Sequence, residues 1–585
     1  MYSASELLER ERYKKGITRE KLTRGICSQQ LLIKATESGS DIDLLTFEML
    51  LERVGRSPER LEYIISKEEY NDIVIRDRID EEANKGNVEM VKKHLNEYVP
   101  DMDKVSQSKK IYYYRTYAYA LLKNADSDFL ANAEENIVNA IRIALPGITF
   151  DNYEEYMFSA YDIENILIYS LVLIKKGENK RASQILIKVF SFSKSHYSDE
   201  LLQARILVKC AFLICEYCEA TIDIDERLKY CEDAIALIRN TGTIYMLAPL
   251  LDKKIEYSKK LCRETDIDLW INIRDVVKEV LKEFEPDIEQ DSVIFKWKKA
   301  AYHLDSQVIY AERIRKKMSQ QELAEGIFSN FASISYIENN KCSPNKSKFK
   351  EIMVRLGISK PRRGGFVLTD SFNFLETVEN IRKSCSKQDY VGVLKLIEQM
   401  EDKERITSEI INAYKITADS FINKTTDERM LAYLSNNIED TFSLSSNKYL
   451  RKPFQAEMDI IVSYAWRLKN ESRNEAVNVF RRIIEALEND VINGKYFYRI
   501  LAAANSNYIN CAEGLLSHDE IIRISDKTIK VSLQSGNGAA ISDAYWVRYR
   551  ALHENEVLKR SYYFSELYKE KTASIKKQRF QDCLN

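Results

Sequence analysis

An all-α protein made by tandem duplication is what this sequence predicts, and three observations carry the prediction. Only 17 Gly and 8 Pro occur in 585 residues, too few breakers for a chain of hairpins and tight turns. Leu, Ile, Ala, Lys and Glu recur at the i, i+3, i+4 spacing of amphipathic helices. A stretch near the start returns about 300 residues later with its residues in the same order. The expected architecture is two helix-turn-helix domains, each followed by a tetratricopeptide-like (TPR-like) α-solenoid array.

The repeated stretch runs from Arg10 to Gly39 and again from Tyr310 to Asn340. Paired without gaps, Arg12 meets Arg313, Thr18 meets Ser319, Leu22 meets Leu323 and Gly25 meets Gly326. Ile26 then meets Ile327, Ser28 meets Ser329, Ile33 meets Ile334 and Glu37 meets Glu338. Fainter echoes follow in the same order: ERVGRS at 52–57 with VRLGIS at 354–359, 169–190 with 462–483, and 225–242 with 518–536. One such echo would mean little, but their shared order favours duplication.

Between the repeated motifs the pattern is amphipathic stretches joined in pairs by short polar turns. Pairs fall near 69–98, 107–144, 151–195, 199–239 and 242–285, and again near 370–401, 405–442, 449–488, 494–534 and 537–575. In LIKKGENKRASQIL, Ala182 stands where a small residue lets two helices approach. Stacked pairs of this kind bury a continuous core and leave a concave face. The domain boundaries expected are 1–66, 67–300, 301–363 and 364–585.

The second copy of the short motif is the better formed. Ser319 is placed to cap a helix, with Glu322 three residues on as the return partner of a capping box. Gly326 lets the chain turn, Ser329 is placed to cap the next helix, and Leu323, Ala324, Ile327, Ile334 and Ile337 supply the apolar contacts between the two. The run SQQELAEGI, followed by ISYIE, resembles the phage-repressor-type helix-turn-helix. It resembles in particular the peptide-responsive bacterial regulators of the Rgg and PlcR kind, which pair one such module with a TPR-like array. Two modules in one chain depart from that pattern, and the interval from Ile327 to Glu338 is one residue longer than the family's.

The resemblance implies a quorum-sensing type of transcription regulator whose partners are a double-stranded DNA operator and a short signalling peptide. By the same resemblance Gln320 contacts phosphate or braces the reading helix, while Asn330, Phe331, Ser333 and Tyr336 face the DNA and Lys341 meets a phosphate. The alternative for Phe331 and Tyr336 is module core, and for Asn330 a turn residue. Arg315, Lys316 and Lys317 add cationic character, and Gln29, Gln30 and Lys34 are the corresponding candidates in the first module. For the peptide, Tyr113, Tyr117, Asn165 and Tyr169 are candidates on inner helices, with Asp459 near the corresponding place in the second half. Amides would satisfy peptide backbone groups and aromatic rings would cover its side chains; packing between repeats is the plainer reading of tyrosines at i and i+4.

Charge divides the two modules. Residues 305–363 hold 12 Lys and Arg against 6 Asp and Glu, a balance of +6, whereas residues 1–60 hold 11 against 10. Phosphate contacts supply much of DNA affinity, so the second module is the stronger DNA-binding candidate. The cluster Lys360, Pro361, Arg362 and Arg363 reads as a backbone-tracking tail or a solvated loop. The whole chain has a formal charge of −2, so any nucleic-acid contact must be local.

Other classes fit poorly. The five His residues are isolated, no glycine-rich phosphate loop precedes a helix, and no nucleophile stands beside a base, so neither an enzyme nor a bound cofactor or metal is expected. Cys215 and Cys218 form a C-x-x-C without a second pair and are expected to pack in a core. No run of 18 apolar residues occurs and the N-terminus is charged, so a cytoplasmic protein without a membrane partner is expected. Either a homodimer or a single-chain pseudo-dimer would present two heads to an operator. The competing reading is a protein-interaction scaffold whose modules no longer bind DNA.

Overall fold

The computed structural model describes residues 2–37, 42–124, 129–149, 152–263, 265–285, 291–294, 301–357, 366–367, 372–386, 389–400, 405–423, 453–488, 497–570 and 572–584. Among these residues the protein is all-α apart from four short strands. Two compact units form: an N-terminal unit of Leu8–Glu59 and Glu68–Trp297, and a C-terminal unit of Met1–Leu7, Arg60–Lys67 and Lys298–Asn585.

The N-terminal unit opens with four helices, α1 (Ala4–Lys14, from Leu8 on), α2 (Arg19–Thr23), α3 (Gln29–Glu37) and α4 (Leu44–Arg53). Ten longer helices follow: α5 (Lys67–Asn84), α6 (Val88–Tyr98), α7 (Gln107–Lys123), α8 (Leu130–Ala144) and α9 (Ala160–Lys175). They continue through α10 (Asn179–His196), α11 (Glu200–Tyr217), α12 (Ile224–Thr241), α13 (Leu247–Lys260) and α14 (Ile267–Phe284). These are the five helix pairs that the polar turns mark in the sequence.

Local chemistry explains their starts. Ser106 accepts from Lys109 N–H, Asp199 from Leu201 and Leu202, and Asp223 from Glu226, each satisfying a first-turn donor that has no partner within the helix. At α9 the cap is reciprocal, Ser159 with Asp162. From α6 onward each helix packs on its neighbour in sequence, and α7, α9, α11 and α13 also pack in succession, so these helices stand in two layers. Ala182 is fully buried at its contact, and Cys215 and Cys218 both lie in the core. Burial pushes the Cys218 thiol up to about 11.

The C-terminal unit holds the strands. β1 (Tyr2–Ser3), β2 (Glu62–Ile65), β3 (Ala301–Leu304) and β4 (Phe366–Val367) form one sheet in the order β1-β4-β2-β3. β2 runs parallel to β3 with Glu62 opposite Ala301 and Ile65 opposite Leu304, while β4 is antiparallel to both β1 and β2. Four helices again come first, α15 (Asp305–Arg315), α16 (Gln320–Ala324), α17 (Ala332–Glu338) and α18 (Lys346–Arg355). Then come α19 (Phe372–Ser386), α20 (Tyr390–Glu398) and α21 (Arg405–Asn423). The last stretch is α22 (Gln455–Glu471), α23 (Arg473–Glu488), α24 (Tyr498–Cys511), α25 (His518–Gln534), α26 (Ala539–Leu552), α27 (Asn555–Leu567) and α28 (Ala573–Leu584). The second helix expected within 405–442, and the cluster from Lys360 to Arg363, lie outside the described residues.

Candidate functional site

The α15–α18 segment forms around a core of Ile309, Leu323, Ile334, Ile337, Phe349 and Ile352, all nearly inaccessible to solvent. Ser319 Oγ accepts from Glu322 N–H at 3.1 Å and the Glu322 carboxylate accepts from Ser319 N–H at 2.6 Å, so the capping box that the sequence signals is complete. Gly326 then turns the chain at φ +69°. The start of α17 differs from expectation. Asn330, not Ser329, opens it, with its side-chain oxygen accepting from Ala332 N–H at 2.9 Å.

One buried carboxylate locks the short helix α17 in place. Arg313 donates to both oxygens of Glu338 at 2.6 and 2.9 Å, and the Gln320 amide donates to the same group at 2.7 Å. Gln320 therefore braces α17 from the first residue of α16. Glu338, in the sequence only a matched position, is the centre of this arrangement; an acid directly after the last apolar residue of a helix is a weak signal by itself.

The outward side of α17 is open. Ile334 and Ile337 point into the core, whereas Phe331 is 57% exposed and Tyr336 52%, which removes the reading of these two rings as module core. Asn330 is exposed and Ser333 half-buried. The Lys341 ammonium lies 5.6 Å from the Tyr336 ring centroid. Lys316 and Lys317 are exposed, but Arg315 is paired with Glu312 at 2.7 Å.

The α1–α4 segment repeats this construction with a shift. Thr18 caps α2, Gly25 turns the chain at φ +75°, and Gln29, Gln30 and Lys34 are exposed on α3. The inward residues of α3, however, are Leu32 and Ala35. They occupy the places of Ile334 and Ile337, so the gapless pairing of Ile33 with Ile334 is one residue out from the turn onward. Ser28 corresponds to Asn330, and Lys34 to Tyr336. The corrected register agrees with the helix ends, where Arg53 and Arg355 make the same bonds. Arg53 donates to Leu22 O and Arg24 O, and Arg355 to Leu323 O and Glu325 O.

The two segments differ most in what surrounds that arginine. Arg355 is exposed, but Arg53 is 1% exposed and reaches beyond its own segment to Asp162 at 3.0 Å and Ala144 O at 3.0 Å. Its neighbour Glu52 accepts from Ala160 N–H at 2.9 Å and pairs with Arg205 at 2.6 Å. Arg205, Lys209 and Arg115 all converge on Glu164, at 3.0, 2.7 and 2.5 Å. Burial pushes the Glu164 carboxyl up, but Lys209, Arg205 and Arg115 outweigh it and hold the group at about 2. Burial drives the Lys209 ammonium down to about 8 against the pull of Glu164. The α1–α4 segment is thus bolted to α8, α9 and α11 of its own unit.

Tyr113 and Tyr117 are half-buried neighbours with ring centroids 6.3 Å apart, and the Tyr113 hydroxyl donates to Asn96 at 3.3 Å. Tyr169 lies beneath Arg181, 5.8 Å from its ring centroid. Asp459 accepts from Arg382 Nε at 3.0 Å and is committed to that pair. Asn165 stands apart: it is fully buried, and neither end of its amide has a hydrogen-bond partner.

No protein family and no curated protein matches the chain significantly. Among solved structures it is similar to a crystal structure of Bacillus thuringiensis PlcR in complex with the peptide PapR7 and DNA, at 14% identity and a TM-score of 0.31, over 47% of this chain and 98% of that one.

Proposed function

We propose that this chain is a cytoplasmic bacterial transcription regulator that arose by tandem duplication. In this reading residues 1–66 and 301–363 are helix-turn-helix heads, residues 67–300 and 364–585 are TPR-like arrays, and an array senses a short peptide or similar ligand. One observation carries the DNA-binding part. The outward face of α17 presents Asn330, Phe331 and Tyr336 beside Lys341, on a segment with a balance of +6, while its inward face is fixed by the Glu338 brace. A rigid short helix with polar, aromatic and cationic side chains outward is what groove reading and phosphate contact require.

The test is retention on duplex DNA as a function of salt. The full chain is expected to bind with a steep salt dependence, and replacing Lys316, Lys317 and Lys341 together by Gln should lower the log–log slope by roughly one for each phosphate no longer neutralised. A slope unchanged by the triple variant would remove the second head from the interface.

The ligand-sensing part is supported by Asn165, since a buried amide with both ends open carries a desolvation cost of about 1–3 kcal/mol that a peptide backbone group would relieve. Asn165→Ala is expected to abolish protection of the chain from heat by the cognate peptide while leaving the ligand-free unfolding temperature unchanged or raised. A second reading, a scaffold with heads that no longer bind DNA, is favoured by the buried bolt at Arg53. Absence of retention on duplex DNA at low salt would select it.

A further inference from the structure

We propose that the second head recognises thymine through its 5-methyl group, with the Phe331 ring as the contacting surface; the inference rests on the DNA-binding reading above. Among the described residues Phe331 is the only exposed phenylalanine, and it sits on the outward side of α17 rather than at a chain end. Phe331 and Tyr336 flank Ala332 and Ser335 on that side, at 100° per residue. The face is therefore aromatic at its edges, with the small side chains of Ala332 and Ser335 between the two rings.

Three amides of this segment are already engaged. The Asn330 side-chain oxygen accepts from Ala332 N–H, the Asn339 amide donates to Ser335 O at 2.7 Å, and the Gln320 amide donates to Glu338. A bidentate contact to adenine needs an Asn or Gln with both ends open. Phe331 is the largest apolar group that this face exposes, and the one apolar group that a base displays in the major groove is the thymine methyl. The positive balance of the surrounding segment brings the ring to a polyanion rather than to a neutral protein surface. The first head differs at the corresponding places, where Gln29, Gln30 and Lys34 are exposed, so the methyl preference belongs to the second head alone.

Uracil differs from thymine by that methyl only. A duplex selected from a random pool by the full chain is compared with duplexes in which each thymine in turn is replaced by deoxyuridine. At one or two positions of one half-site the loss should be about fourfold per methyl, the worth of a buried methylene-sized group. Phe331→Ala should bind thymine and uracil duplexes equally and keep the wild-type salt slope, and Phe331→Leu should retain part of the discrimination. A wild-type chain indifferent to every replacement, or a Phe331→Ala chain that still discriminates, overturns the inference. Absence of any retained duplex at low salt overturns the DNA-binding reading itself, a result distinct from retention without methyl sensitivity.

Discussion

Arg53 and Arg355 hold equivalent places in two similar segments, and the difference between their surroundings is large enough to measure. Both tie a helix end to the carbonyls of the preceding turn, but only Arg53 also neutralises a buried carboxylate, Asp162, whose side chain has no exposure. Arg53→Ala leaves that carboxylate and the Ala144 carbonyl without the guanidinium, a loss of about 3–5 kcal/mol for an uncompensated buried charge. Arg355 is exposed, so Arg355→Ala should cost about 1 kcal/mol or less. Thermal unfolding of the two variants beside the parent chain checks this, and equal losses would refute it. The adjoining glycines point the same way: a Cβ on Gly25 would sit 2.3 Å from Ala144 O, whereas one on Gly326 would meet nothing nearer than 3.8 Å.

At the scale of elements, the bolt joins α4, α9 and α11 through ionised groups, which makes it sensitive to acid. Glu164 is held at about 2, below the ordinary 4.5, so its contribution is fully present above about pH 4.5 and is lost as the pH falls through about 2. Its magnitude is on the order of 3 kcal/mol. The urea midpoint of the chain should therefore fall between pH 4.5 and 2, and Glu164→Gln, though less stable at neutral pH, should show a flatter acid limb; parallel limbs would rule Glu164 out as the acid-sensitive group. Helices of this kind were legible in the sequence because period and caps are local: the capping box of Ser319 with Glu322 lies within four residues. The bolt was not, since Arg53 meets partners some hundred residues away. Nor was the register of α3, where Leu31, Leu32 and Ile33 in succession satisfy three helical phases and only packing selects Leu32. The strands were invisible for a different reason. EYII and AYHL are buried along nearly their whole length, so no alternation of polar and apolar residues marks them.

For the whole molecule, those hidden strands decide which pieces of the chain can stand alone. The C-terminal unit recruits residues 60–67 from far upstream, and β2 is an interior strand of its sheet, between β4 and β3. Glu62 does two further things there: its carboxylate lies 3.3 Å from His303 Nε2 and accepts from Gln455 N–H at 2.9 and 3.0 Å, placing a negative charge at the start of α22. A fragment of residues 298–585 lacks β2, so it uncovers the edge of β3, whose four residues are all buried in the complete chain, and leaves the α22 terminus without that carboxylate. An uncovered apolar edge pairs with other copies. The fragment should therefore associate or precipitate at concentrations where the full chain is monodisperse by light scattering. Parallel strands need a crossover of about a dozen residues or more, so joining residues 60–67 to its N-terminus through a flexible linker of about 15 residues should restore a monodisperse fold, and Glu62→Ala in that linked form should lower its unfolding temperature. A fragment equally well behaved with and without residues 60–67 would show that the sheet is dispensable and that the unit folds from residues 298–585 alone.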